Sequence, residues 1–158
     1  AARPRILDVG AQVPHGALRA YVMGERGAKD EAATGHDIAR MASLVREALG
    51  AGALGFSTSR TLLHRAMDGS PVPGTFASRD ELFGIGRALG DAGHGVFQVA
   101  ADHARVPEEL AWMEELARET GRLVTFNLSQ VDPAPDLRRR PVAVRRCPHP
   151  RPGGNFPA

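Results

Sequence analysis

Three stretches of helical period, each closed by a glycine, alternate with short uncharged runs, and this alternation restricts the fold more than any other feature of the chain. The first stretch places Ile38, Met41, Ala42, Val45, Ala48 and Leu49 on one helical face, leaves Arg40, Arg46 and Glu47 for solvent, and stops at Gly50. In the second, Ser78 stands three residues before Glu81, the spacing of a capping box, and Leu82, Ile85 and Leu89 form the buried stripe before Gly93. The third opens with Pro107, whose missing N–H is tolerated in a first helical turn, followed by Glu108 and Glu109, which suit the positive end of a helix. Leu110, Met113, Leu116 and Ala117 form its apolar face, and Gly121 ends it.

Between and around these helices, residues 53–57, 96–100 and 123–128 read as strands, and residues 6–13 as a first strand halted by Pro14. Residues 16–24 have room for one or two helical turns, and the polar, glycine-bounded segment 25–35 reads as a surface loop. Residues 58–77, with Gly69, Pro71, Pro73 and Gly74 and no sustained period, form a long loop at the C-terminal side of the second strand, where length of this kind usually serves a function. Strands separated by helices call for right-handed crossovers and a parallel sheet, hence an α/β fold. Four strands leave open whether that sheet is flat or part of a barrel. The segment GFSTSR lacks the G-x-G-x-x-G turn and no G-x-x-x-x-G-K-[ST] occurs, which disfavours Rossmann and P-loop readings.

The composition changes at residue 134. Residues 134–158 carry six Arg against one acid, Asp136, with six Pro and no amphipathic period, and are expected to be a disordered Arg/Pro-rich tail, with residues 1–133 as the folded domain. The sequence pI of about 9.3 therefore belongs to the tail, and it gives no support to a specific nucleic-acid partner for the folded part. Arginines without aromatic platforms do not make a single-strand binding surface. The lone cysteine, Cys147, excludes an intrachain disulfide and fits a reducing, cytoplasmic location. No run approaches the roughly 18 apolar residues of a membrane span, and the opening AARPRILDVG reads as neither signal nor anchor.

Ligands of parallel α/β folds meet the C-terminal ends of the strands. Those ends present His15, Ser57 to Arg60, Gln98, Asp102 and His103, and Asn127, Ser129 and Gln130: a polar rim without a nucleophile elbow or an H-E-x-x-H motif. A neutral imidazole such as His15 can ligate metal or move a proton, and the planar fork of Arg60 can clamp a carboxylate. Asp102 and His103 are adjacent, so on extended backbone their side chains point apart. No complete metal site or catalytic triad can be assembled from these residues.

VPHGALRAYVMG (residues 13–24), IARMASLVREALGAGALGFSTS (38–59) and TFASRDELFGIGRAL (75–89) together resemble the N-acyl-D-amino-acid deacylase branch of the amidohydrolase superfamily, over residues 6–130. The resemblance implies part of a (β/α)8 TIM barrel and hydrolysis of amide, non-peptide C–N bonds in small N-acylated substrates. It also implies zinc that activates water and a proton-handling aspartate late in the barrel. His15 matches the family's GH histidine. Ala100, with Gln98 two residues before it, stands where the family's strand carries a histidine ligand, and Asn127 and Leu128 stand at an S-H-x-K-like motif. Amide and apolar side chains do not ligate zinc well. The chain is therefore expected to be a central barrel fragment, inactive alone, with no catalytic or metal residue of its own and with His15, Ser57, Ser59, Arg60, Gln98 and Asn127 lining a substrate site. Unpaired sheet edges imply self-association. A shifted reading frame or a truncated locus would account for the change at residue 134. The competing expectation is a non-catalytic α/β domain that binds a small ligand or assembles with copies of itself.

Overall fold

The computed structural model describes residues 7, 9–102 and 105–127. Four strands, β1 (Val13–Pro14), β2 (Gly55–Ser59), β3 (Val96–Ala100) and β4 (Leu123–Phe126), form one sheet. Between β1 and β2 lie α1 (His15–Met23), the single-turn α2 (Glu25–Ala28) and α3 (Gly35–Gly50); α4 (Arg79–Ala92) joins β2 to β3, and α5 (Val106–Thr120) joins β3 to β4. All pairs are parallel, and the strand order β1-β2-β3-β4 follows the sequence without reversal. This order decides what strand count alone left open. Right-handed crossovers that always step in one direction put every helix on the same face of the sheet. The chain is thus an α/β fold with the singly wound architecture of a TIM barrel, present in part.

The register sorts the side chains between the two faces. Phe56, Phe97 and Val124 lie side by side, as do Thr58, Val99 and Phe126. This set faces the helices: Phe56 and Phe97 meet with ring centroids 5.0 Å apart, and Phe97 meets Trp112 of α5 edge-on at 6.3 Å. Met41, Val45 and Leu49 of α3, Leu82, Ile85 and Leu89 of α4, and Met113 and Leu116 of α5 complete this buried layer. Strand alternation directs Ser57, Ser59, Val96, Gln98, Ala100, Leu123 and Thr125 to the opposite face, which is helix-free among the described residues.

The three helices follow their periodicity, and α4 and α5 end on Gly93 and Gly121 in the left-handed conformation. β3 lies where the uncharged run predicts it. Elsewhere tertiary pairing moves the boundaries. The first strand is reduced to Val13–Pro14, and residues 9–12 are not strand, because β1 is a sheet edge whose only pairs with β2 are Val13 with Phe56 and Pro14 with Ser57. Pro14 is tolerated at an edge, where no ladder partner needs its N–H. β2 begins two residues later than the apolar run and takes in Thr58 and Ser59, since its limits are set by pairing from Gly55 with Val96 to Ser59 with Ala100. Segment 25–35 contains the helical turn α2 where a loop was expected. Helix α3 begins two residues ahead of Asp37, on a capping box in which Thr34 and Asp37 each satisfy the other's backbone N–H. The expected Arg/Pro-rich tail lies outside the described residues. No helix among the described residues is long and apolar enough to cross a membrane.

Candidate functional site

Pro14 ends β1 and His15 starts α1, so the imidazole is delivered to the helix-covered side of the sheet, edge-on to Phe56 with centroids 5.1 Å apart. It is 2 % exposed. Nδ1 lies 2.8 Å from Thr58 Oγ1, and Nε2 lies 2.8 Å from Glu81 Oε1. Because the carboxylate only accepts, Nε2 donates to it, and in the neutral ring Nδ1 accepts from the Thr58 hydroxyl. One helical turn on, Arg19 shares this face of α1; its Nη1 donates to both oxygens of Glu81 at 2.6 Å, and its Nη2 donates to the Glu31 carbonyl. Arg19 also lies 3.4 Å from Asp30.

Burial by itself would raise the Glu81 pKa; the hydrogen bond and charge of His15, and after them those of Arg19, outweigh it and hold the carboxyl below its ordinary value. Asp30, at φ 57°, accepts from the backbone N–H of Gly74 (2.7 Å) and Phe76 (3.1 Å), tying the long loop to this cluster. Gly74 at φ 97° lets that loop pass against the imidazole: a Cβ there would lie 2.5 Å from His15 Nδ1. The cluster joins β1, α1, β2, the loop and α4. Its geometry is that of an internal clasp.

A second Arg–Glu pair sits at the end of β2. Arg60 donates its backbone N–H to the Ala100 carbonyl, and its Nη1 to the carbonyls of Thr75 (2.8 Å) and Ala77 (2.9 Å), where the loop enters α4. Its Nε lies 3.6 Å from Glu109 Oε1 without a hydrogen bond. Among the described residues, Glu109 Oε2, Trp112 Nε1 and Ser59 Oγ are likewise buried without hydrogen-bond partners. A cleft of about 410 Å³ opens here, lined by Arg60, Ala77, Leu82, Ala111 and Trp112, with Arg79 and Glu115 paired at its rim. The loop itself rises into a small hairpin through the bridge between Arg65 and Pro71.

The helix-free face carries the other candidates. Ser57, Gln98 and Thr125 stand in one row across β2, β3 and β4, with Ser59 beside Ala100 one step nearer the strand ends. Asn127, just past β4, accepts from the Ala101 N–H at 3.0 Å through Oδ1 and so ties two strand ends together. Of the six residues expected to line a site, the structure gathers Ser57, Ser59, Gln98 and Asn127 on or beside this face. It places His15 in the clasp and the Arg60 guanidinium beneath the loop. Arg19, Asp30, Glu81, Glu109 and Trp112 are the functional-looking residues that sequence reasoning missed. The i, i+4 spacing of His15 and Arg19 marked a shared helix face; nothing local marked Glu81 as their partner. His103, Leu128, Ser129 and Gln130 lie outside the described residues.

The chain matches the profile of the amidohydrolase family over residues 1–150, and it belongs to that family. The match runs past the change of composition at residue 134. No curated protein and no solved structure matches the chain. Zinc, which the resemblance implies, finds no suitable donor set among the described residues: no three His, Cys, Asp or Glu side chains converge on a metal position. The strand ends offer hydroxyls, amides, Ala100 and the Asp102 carboxylate, and the His15 nitrogens are engaged by Thr58 and Glu81. The described residues therefore do not fit the metal, and no chemical step is assigned to it.

Proposed function

We propose that this chain supplies a strand–helix segment of an amidohydrolase of the N-acyl-D-amino-acid deacylase type, whose helix-free face holds the polar part of a small N-acylated substrate. The observation that carries this reading is the row of Ser57, Gln98 and Thr125 across three parallel strands, on the face that a barrel turns inward. Ser59 and Asn127 extend that surface toward the strand C-termini, where barrel enzymes bind their ligands. Hydroxyl and amide groups in a row suit the N–H and C=O of an acylamide. They supply no activated nucleophile, so the segment binds and orients but does not hydrolyse by itself. In this reading His15 and Arg60 are positioning residues that fix the loop and strand ends around the face. Leu123, 51 % exposed on the same face, and the edges of β1 and β4, unpaired among the described residues, favour association with copies of the chain. The single cysteine suits a reducing, cytoplasmic setting.

The test is an NMR titration with N-acetyl-D-methionine and its L-enantiomer, paired with an assay for released methionine with and without added zinc. Saturable D-selective shifts at Ser57 and Gln98, lost in a Ser57→Val/Gln98→Leu variant, support the reading. Equal binding of both enantiomers removes the deacylase assignment, and sustained turnover removes the claim that the chain does not act alone.

A further inference from the structure

Residues 61–73 are the part of the long loop least held by the rest of the protein. Among the described residues, their hydrogen bonds all stay within the loop: the Ala66 N–H donates to the Ser70 carbonyl, the Val72 N–H to the His64 carbonyl, and Arg65 Nη1 to the Gly69 carbonyl at 3.1 Å. Their side chains bury little. Leu63 is 74 % exposed, Met67 is fully exposed, and His64 and Arg65 stand in solvent between them.

The two ends of this hairpin are held in another way. Upstream, the Arg60 N–H continues the sheet to the Ala100 carbonyl. Downstream, residues 74–77 are gripped from two sides at alternate peptide groups: Asp30 takes the N–H of Gly74 and Phe76, and Arg60 Nη1 takes the carbonyls of Thr75 and Ala77. A break in the hairpin therefore leaves both new ends anchored, β2 in the sheet and α4 against α3 and α5.

An endopeptidase takes backbone that can be drawn out as an extended strand, and burial and hydrogen bonding decide where that is possible. Most Lys and Arg among the described residues lie within helices, whose bonded backbone resists it. Of the others, Lys29 precedes the tied Asp30, Arg60 is engaged as above, Arg105 is the N-cap residue of α5, and Arg122 donates to the Gly93 carbonyl. Among the described residues this leaves Arg65, in a stretch that is exposed and bonded only to itself.

We propose that the Arg65–Ala66 bond is a processing site for an endopeptidase with an acidic specificity pocket, and that the cut protein persists as a folded two-chain form. One water adds across the amide: the Arg65 carbonyl becomes a carboxylate and the Ala66 nitrogen an ammonium group. To enter such a pocket the guanidinium gives up only its exposed bond to Gly69. The cut frees the hairpin at the C-terminal side of β2 while the clasp and the strand pairing stay in place, and it is independent of the acylamide reading.

Trypsin at a low ratio to the intact chain is the probe, with mass spectrometry following the cuts. Of the cuts between residues 9 and 127, the first should fall after Arg65. Its rate, relative to an unstructured control peptide, should stay nearly constant in dilute urea, since the hairpin opens without the rest of the fold. The two pieces should then elute together, keep the native circular dichroism and unfold in one transition. Arg65→Gln should lose this cut. Asp30→Ala, which releases the downstream end, should lower the melting temperature of the cut protein more than that of the intact one, where the unbroken chain still tethers that end. A first cut elsewhere in that range, a rate that climbs with urea alongside global unfolding, or pieces that separate on the column would overturn the proposal. Equal losses from Asp30→Ala in cut and intact protein would overturn the anchoring assigned to Asp30.

Discussion

Two Arg–Glu pairs pin the long loop of this protein, and they are built to different standards. In the clasp, Glu81 receives Arg19 on both oxygens at 2.6 Å and His15 at 2.8 Å, and all three residues are at most 2 % exposed. Only Arg19 Nε lacks a partner there among the described residues. At the end of β2, Arg60 and Glu109 stand 3.6 Å apart and, with Trp112, leave three polar atoms unanswered among the described residues. The difference is instructive because both pairs do the same mechanical task, holding one end of the loop. Charges removed from water must be fully paired to be tolerated, so the deep pair has converged on dense hydrogen bonding. The outer pair borders a cleft and leaves buried polar atoms of both side chains without a hydrogen bond among the described residues.

The largest test of this contrast is Glu81→Ala. It strands a buried guanidinium and imidazole, and should cost about 3–5 kcal/mol of stability in a denaturant melt. A loss below about 1 kcal/mol would mean that the clasp is not the main tie between α1 and α4. Next comes Gly74→Ala, which places a methyl against His15 at a backbone angle that side chains avoid. It should cost on the order of 2 kcal/mol by thermal unfolding and loosen hydrogen exchange at Phe76, whose N–H is held by Asp30.

Acid should act through the same chemistry. Hydrogen bonds from the Thr34 backbone and hydroxyl, with help from Arg26, lower the Asp37 pKa to about 2 from 3.8. A carboxyl whose folded pKa is depressed stabilises the fold above its unfolded value and loses that contribution as pH falls through the folded one. Stability from Asp37 should thus be complete above about pH 4 and fade toward pH 2, and that from Glu81 should fade below its ordinary value of 4.5. Asp37→Ala should remove about 1 kcal/mol at neutral pH and flatten the acid limb of the stability curve. An unchanged limb would place the acid sensitivity elsewhere. The smallest effect is expected at the outer pair: Glu109→Gln keeps the shape and removes the charge, and should change stability by about 0.5 kcal/mol or less. A loss as large as that of Glu81→Ala would erase the distinction between the two pairs.

Light scattering addresses the free edges of the sheet. The chain should be oligomeric at micromolar concentration, and Leu123→Lys, which sets a charge on the helix-free face, should shift it toward monomer. A monodisperse monomer with sharp cooperative unfolding would count against edge-driven association.

Helices α3, α4 and α5 were legible because their information is local. Apolar residues recurring at three and four positions, a capping hydroxyl and a closing glycine act within a few turns of the chain. β3 was legible for the same reason, as an uncharged run bounded on both sides. The limits of β1 and β2 were not, since a strand begins and ends where its neighbour pairs with it, and Gly55 meets Val96 only after α4 has crossed over. The same holds for the sites. Sequence put Asn127 at the end of its strand, where it lies just past β4, whereas Ser57 and Gln98, expected at strand ends, stand at the middle of β2 and β3, because pairing and not the apolar run sets where those strands stop. It could not bring Glu81 to His15 and Arg19, which are 66 and 62 residues away. The capping spacing of Ser78 and Glu81 even suggested another use for that side chain: Ser78 does accept the Glu81 N–H, while the carboxylate turns inward to the clasp. Local physical chemistry thus settled which segments coil and which extend. The one-directional crossovers decided which face is bare, which charges meet, and where a cleft is left.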